Sequence, residues 1–233
     1  REHLGGAERK RFDVAVDAML GRRAIYRNDC HGLHFPFLPA EEFFDDRLFP
    51  WMPELEARTS AIRDELLSLL SGNAPGFEPY VMQQPGTPNN IWSDLDRKLD
   101  WTAYFLWNYG QRIDPACARC PETAAALERV PRIELEGKAP SAFFSILQPG
   151  KHIPPHTGVT NIRTIVHLAL VVPAGCTYRV GGETRQWQEG KAFAFDDTIE
   201  HEARNDSDAL RAVLIFDVWN PHLQAHERAL LQA

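Results

Sequence analysis

From residue 141 onward, apolar and polar residues alternate with a period of two in short runs, and turn residues cut the runs apart at close spacing. The runs are 142–147, 163–172, 176–180, 183–187, 192–195, 201–204 and 210–219. Pro149-Gly150, Pro173-Ala174-Gly175, Gly181-Gly182, Glu189-Gly190 and Asn205-Asp206-Ser207 separate them. A period of two sends alternate side chains to opposite faces of a strand. Short strands punctuated in this way bury their apolar faces against one another, as a sandwich or jelly roll. The expected fold class is mainly β with N-terminal helices, the β part forming a double-stranded β-helix.

Upstream, the period lengthens. Residues 7–20 place Phe12, Val14, Ala15, Ala18, Met19 and Leu20 at helical spacing. Residues 55–70 place Leu55, Ala57, Ile62, Leu66, Leu69 and Leu70 on one face and stop at Gly72. The proline- and phenylalanine-rich stretch 32–53 and the turn-rich stretch 73–92 show little regular pattern. Residues 102–108 read as a strand, and 120–129 as a short helix entered near Pro121. Two units are expected: an N-terminal helical extension, 1–73, packed on a β domain, 74–233.

Composition narrows the partners. A net charge of −7 argues against a nucleic-acid or anionic-membrane surface, both of which select a basic face. No apolar stretch approaches the roughly 18 residues that span a bilayer, and no signal peptide is visible, so a cytoplasmic location is expected. Cys30, Cys117, Cys120 and Cys176 are too few for a disulfide scaffold. Cys117-Ala118-Arg119-Cys120 lacks the second pair of a zinc ribbon and is expected to be reduced thiols in a loop.

Two histidines carry the chemical signal. His156, in Pro154-Pro155-His156-Thr157-Gly158, and His201, in Glu200-His201-Glu202, lie 45 residues apart with strands between them. Imidazole suits Fe(II) or Zn(II), yet two histidines on β-rich sequence are by themselves a weak metal signal. Arg211 opens a strand that is otherwise nearly all apolar. It either caps the strand's edge or aims at an anion inside the barrel, where a guanidinium fork would meet a carboxylate bidentately. His167, between Val166 and Leu168, reads first as a core histidine, and Trp107 as core. Asp196 and Asp197 are expected to fix the turn that presents His201.

Between Trp101 and Pro221 the chain resembles the aspartyl/asparaginyl β-hydroxylases, a family of 2-oxoglutarate oxygenases. The likeness rests on Ser145-Ile146-Leu147-Gln148-Pro149-Gly150, Pro155-His156-Thr157-Gly158, Thr160-Asn161, His167-Leu168 and Glu183-Thr184. It continues through Trp187-Gln188-Glu189-Gly190-Lys191, Phe195-Asp196-Asp197, Glu200-His201-Glu202, Arg211 and Asp217-Val218-Trp219. Most Fe(II) oxygenases place a carboxylate two residues after the first histidine; this family has glycine there, as Gly158 is here. The resemblance implies a cupin-like jelly roll with His156 and His201 as the Fe(II) ligands. Arg211 and Ser145 would hold the remote carboxylate of 2-oxoglutarate, with His167 beside its iron-ligating end and Trp107 as a pocket wall. It implies a dioxygenase that hydroxylates an unactivated carbon, such as the β-carbon of an Asp/Asn-type residue or a related small molecule, and releases succinate and CO2. Dioxygen and a peptide or small-molecule substrate are the implied partners. Family members acting on acidic substrates carry an arginine where Ile165 stands, which leaves Arg163 as the recognition residue to test. The alternatives are a non-catalytic barrel that binds metal or metabolite, and an interaction module built on the N-terminal helices.

Overall fold

A computed structural model describes residues 6–72 and 76–233; the expected unit boundary at 73/74 lies outside the described residues. The chain begins with helix α1 (Gly6–Met19) and, after a long connector, α2 (Met52–Glu56) and α3 (Thr59–Ser71). Then come β1 (Glu78–Pro79), β2 (Trp101–Asn108), β3 (Gln111–Arg112), α4 (Asp114–Arg119) and α5 (Pro121–Glu128). The strands β4 (Ala142–Leu147), β5 (Lys151–His156), β6 (Arg163–Val171), β7 (Cys176–Val180) and β8 (Glu183–Arg185) follow. β9 (Ala192–Phe195), β10 (His201–Asn205), β11 (Arg211–Trp219) and α6 (Ala225–Gln232) complete the chain.

Two antiparallel sheets face each other as a jelly roll. The larger runs β1-β2-β4-β11-β6-β9, with β3 paired to β2; the smaller runs β5-β10-β7-β8. Even-numbered residues of β4, β6 and β11, such as Phe144, Leu168 and Leu214, join a core shared with Leu55, Ile62, Leu66 and Leu127 of α2, α3 and α5. Odd-numbered residues, such as Leu147, Ala169 and Val213, join a second core with Tyr178 and Val180 of the small sheet. The large sheet is therefore buried on both faces, by helices outside and by the small sheet inside.

Departures from the sequence reading have local causes. The span 55–70 is two helices, not one: the Thr59 hydroxyl donates to the Glu56 carbonyl (2.7 Å), a side-chain bond that competes with the helical ladder. Leu55, Ile62, Leu66 and Leu69 are nonetheless all buried, and Gly72 caps the end. Helix α1 forms, but Phe12, Met19 and Leu20 remain exposed. Strand β5 was invisible because Pro154 and Pro155 interrupt it. They are tolerated because β5 is an edge strand and its ladder with β10 is irregular between His201 and Ala203. All four cysteines are free thiols, and Cys117 and Cys120 lie in and after α4 rather than in a loop. Burial pushes the Cys120 thiol up to about 12, which leaves it protonated and inert.

Candidate active site

His156 and His201 are directly opposite each other where β5 pairs with β10. Their rings lie 4.0 Å apart, centroid to centroid. Each Nδ1 sits against the backbone carbonyl two residues before it, His156 on Pro154 (2.8 Å) and His201 on Ile199 (2.9 Å). A carbonyl only accepts, so each ring keeps its proton on Nδ1 and leaves the Nε2 lone pair free. Burial lowers His156 to about 3 and His201 to about 4, so both imidazoles are neutral at pH 7, the form that binds metal. Among the described residues, no cluster of three or more His, Cys, Asp or Glu is placed to hold a metal, so the pair stands without a carboxylate ligand.

Gly158 is glycine for a steric reason. A Cβ there would overlap the Asp197 carboxylate, which reaches in from the turn before β10. The two turns are also tied through the backbone, Gly158 N–H donating to Asp197 O at 2.6 Å. Asp197 Oδ2 accepts from Arg163 (2.8 Å), and its buried Oδ1 has no partner. Asp196 fixes the turn: its Oδ1 accepts from the Thr198 amide (3.0 Å) and hydroxyl (2.6 Å). A segment of the N-terminal connector straps both turns together. Asn28 donates to Asp196 Oδ2 and Thr198 Oγ1, and the Asp29 amide to Thr198 O. The His31 and Gly32 amides donate to the carbonyls of Gly158 and Val159.

The large sheet presents a graded floor to this pair, because residues paired across strands share a face. One row joins Trp101, Leu147 and Arg211; the next joins Ala103, Ser145, Val213 and Ala169. A third joins Phe105, Phe143, Ile215, His167 and Phe193, and the last Asp217, Ile165 and Phe195. The second row, between those of Arg211 and His167, holds only the smaller side chains Ala103, Ser145, Val213 and Ala169. Arg211 is 1% exposed, yet its hydrogen bonds are two long ones from one nitrogen to Ser145, to Oγ (3.3 Å) and to O (3.4 Å). Its Nε is unpartnered, and its guanidinium lies 5.1 Å from the Trp187 ring. Burial lowers its pKa to about 10, which leaves it charged at neutral pH. His167 Nδ1 and Trp187 Nε1 are likewise buried without partners, and the two rings stack nearly parallel. Burial, reinforced by Arg211, lowers the His167 pKa, so this ring too is neutral. Two unsatisfied ring nitrogens beside a guanidinium whose own Nε is unpartnered are a donor set that would suit an anion with several acceptor oxygens.

Two expected roles are corrected. Trp107 does not wall this pocket: a β-bulge between Phe105 and Trp107 turns it to the outer face of the sheet, where Arg132 and Arg112 lie over its ring. Trp101 takes the inner position instead and donates Nε1 to Ser145 Oγ (3.0 Å). Arg163 is not a free recognition cation, since it pairs with Asp197 (2.8 Å) and Asp217 (3.3 Å). Burial alone would lower its pKa, but the two carboxylates outweigh burial and hold it charged. Sequence reasoning missed Trp101, Trp187 and the reach of Asp197. Only the strand register brings them to the site, and single-strand periodicity does not carry register.

The fold and site define a jelly-roll protein with two facing, neutral histidines and a buried guanidinium whose Nε is unpartnered. A profile of the aspartyl/asparaginyl beta-hydroxylase family matches residues 56–221. The chain belongs to that family. It is 38% identical over 181 residues to the human aspartyl/asparaginyl beta-hydroxylase (77% of this chain, 22% of the relative) and 42% identical to the mouse protein (77% and 23%). It is 36% identical over 186 residues to the Rhizobium tropici ornithine lipid ester-linked acyl 2-hydroxylase, covering 76% of this chain and 60% of that protein. The chain thus spans less than a quarter of the two mammalian relatives and under two thirds of the rhizobial one.

Proposed function

We propose that the chain is an Fe(II)- and 2-oxoglutarate-dependent dioxygenase that hydroxylates an unactivated carbon of a peptide or small-molecule substrate. The observation that carries this reading is Arg211, a fully buried guanidinium with no carboxylate partner among the described residues, set on the inner face of the large sheet one row of small side chains away from His167. A buried unpaired cation is costly unless a ligand completes it. The donor set suits a dicarboxylate: Arg211 and Ser145 for the remote end, His167 and Trp187 for acceptor oxygens nearer the histidines. His156 and His201 would hold the metal through Nε2. When bound, iron and 2-oxoglutarate would supply the activation of dioxygen, with succinate and CO2 as the co-substrate's products. The protein's share is placement and exclusion of water. Asp197 Oδ1 offers a buried acceptor beside Gly158, where other oxygenases place a ligand. The names of the relatives, a β-hydroxylase and an acyl 2-hydroxylase, describe the same outcome, a hydroxyl placed on carbon.

The test is succinate formation from 2-oxoglutarate with iron and dioxygen. Wild type should turn over and His201→Ala should lose at least about 100-fold, since the pair has no third protein ligand to compensate. Equal turnover by His201→Ala would overturn the reading. A barrel that binds metal or metabolite without catalysis would give binding and no succinate.

A further inference from the structure

Tyr178 is a buried phenol outside the residues that carry the family likeness, and the site described above makes no use of it. It lies in the middle of β7, whose Cys176, Tyr178 and Val180 face inward, and it is 4% exposed. The register sets its level in the barrel. Val180 stands opposite His201, which in turn stands opposite His156; Tyr178 stands opposite Ala203, one inward position further along. Cys176, opposite Asn205, is one inward position beyond that. On the large sheet the succession is His167, the row of smaller side chains, then Arg211. The two successions run the same way: Cys176 and Tyr178 are the titratable groups that act on Arg211, while Asp197, on the turn before His201, acts on Tyr178.

The ring of Tyr178 is packed by other rings. It lies 4.8 Å from His167, 4.9 Å from Phe195, 5.2 Å from Trp187 and 5.8 Å from Phe193, centroid to centroid. Such packing asks only for a phenylalanine, as at positions 193 and 195. The hydroxyl is the part that packing does not explain. It makes no hydrogen bond to any described residue, and its pKa is shifted by burial and by charges alone. The Cys176 thiol, by contrast, donates to Asn205 Oδ1 (3.2 Å). A buried hydroxyl without a partner costs free energy comparable to a lost hydrogen bond. Burial, reinforced by Asp197, pushes this phenol well above the usual tyrosine range, so it keeps its proton and can donate it. His167 Nδ1 and Trp187 Nε1, on two of the rings packed against it, are unpartnered as well.

Resting on the oxygenase reading, we infer that Tyr178 is a positioning residue for the co-substrate, its hydroxyl donating to an oxygen of the 2-oxo dicarboxylate that Arg211 and the histidine pair would hold. The level of the phenol fits this role. It stands between the level of the histidines and that of Arg211, where a molecule reaching from one to the other passes. A neutral donor there adds a hydrogen bond to the anion without burying a second cation. Asp197 Oδ1, an unpartnered acceptor nearer the histidines, is the competing partner.

The experiment compares wild type with Tyr178→Phe, which keeps the ring and removes only the hydroxyl. Each protein is titrated anaerobically, with Fe(II) and then with 2-oxoglutarate, and both steps are followed by calorimetry. The variant should bind Fe(II) as wild type does and 2-oxoglutarate at least about tenfold more weakly, and its metal-free form should unfold at the same temperature or higher. In succinate formation its KM for 2-oxoglutarate should rise by a similar factor while kcat stays within about twofold. Equal 2-oxoglutarate affinity in the two proteins would overturn the inference and leave the oxygenase reading standing. Weaker Fe(II) binding with unchanged 2-oxoglutarate affinity would overturn it too, by placing the hydroxyl on Asp197. Wild type that binds Fe(II) but no 2-oxoglutarate would remove the oxygenase reading and the inference together.

Discussion

Arg211 concentrates the conflict between stability and function in one side chain. Its burial without a carboxylate partner among the described residues costs folding free energy, and the same unpaired charge is what a dicarboxylate would neutralise. Arg211→Met should therefore leave the metal-free protein as stable as wild type or more so, by up to about 2 kcal/mol, while 2-oxoglutarate affinity falls by about 100-fold or more. Thermal unfolding and calorimetric titration check the two halves. A marked loss of stability with intact affinity would make Arg211 a structural residue. The choice that the sequence left open for this arginine, edge cap or buried anion partner, depends on what lies across the sheet. Leu147 and Ser145 do, on a strand more than sixty residues earlier in the chain. His167 shows the same limit: its apolar neighbours identified a buried position, and only the register placed it in the same row as Ile215 and Phe193.

At the scale of elements, the site depends on two turns and a strap more than on its strands. Gly158 and Asp197 occupy a space that admits one side chain, and Asn28 with the following residues ties both turns into one unit. Gly158→Ala should displace the Asp197 carboxylate, break its pair with Arg163 and weaken Fe(II) binding at least about tenfold, at a stability cost of about 1–3 kcal/mol. Metal titration read beside thermal unfolding checks this, and an unchanged affinity would remove Asp197 from the account of the site. The sequence showed Gly158 as an absent carboxylate. It did not show that a carboxylate from the other turn stands in the same space, because no spacing rule links residues 158 and 197. Strand β5 was hidden for a related reason: prolines argue against a central strand, and only the finished sheet shows that this strand is an edge.

For the whole molecule, alternation along the strands turns one face of the large sheet to the helices and the other to the candidate site. That division was largely legible, since seven of the runs from 142 onward became strands close to their expected limits and a two-residue period predicts two faces. The bulge in β2 was not legible, and it puts Trp107 on the helix-covered face while leaving Trp101 on the face of the candidate site. Trp107→Ala should accordingly cost about 3–5 kcal/mol of stability with little change in 2-oxoglutarate affinity. Trp101→Phe should cost less stability and weaken that affinity severalfold through the lost bond to Ser145. Denaturant unfolding and co-substrate titration on both variants separate the faces, and the opposite pattern would reverse the assignment.

The most direct test of the two-histidine centre is an anaerobic titration of the metal-free protein with Fe(II) and then 2-oxoglutarate, followed by visible absorption. A chelated 2-oxo acid on ferrous iron gives a metal-to-ligand charge-transfer band. That band should appear in wild type only when both components are present, be absent in His156→Ala and His201→Ala, and require far more 2-oxoglutarate in Arg211→Met. A band of equal strength in either histidine variant, or none in wild type at saturating iron and 2-oxoglutarate, would contradict the assignment of His156 and His201 as the metal-binding pair.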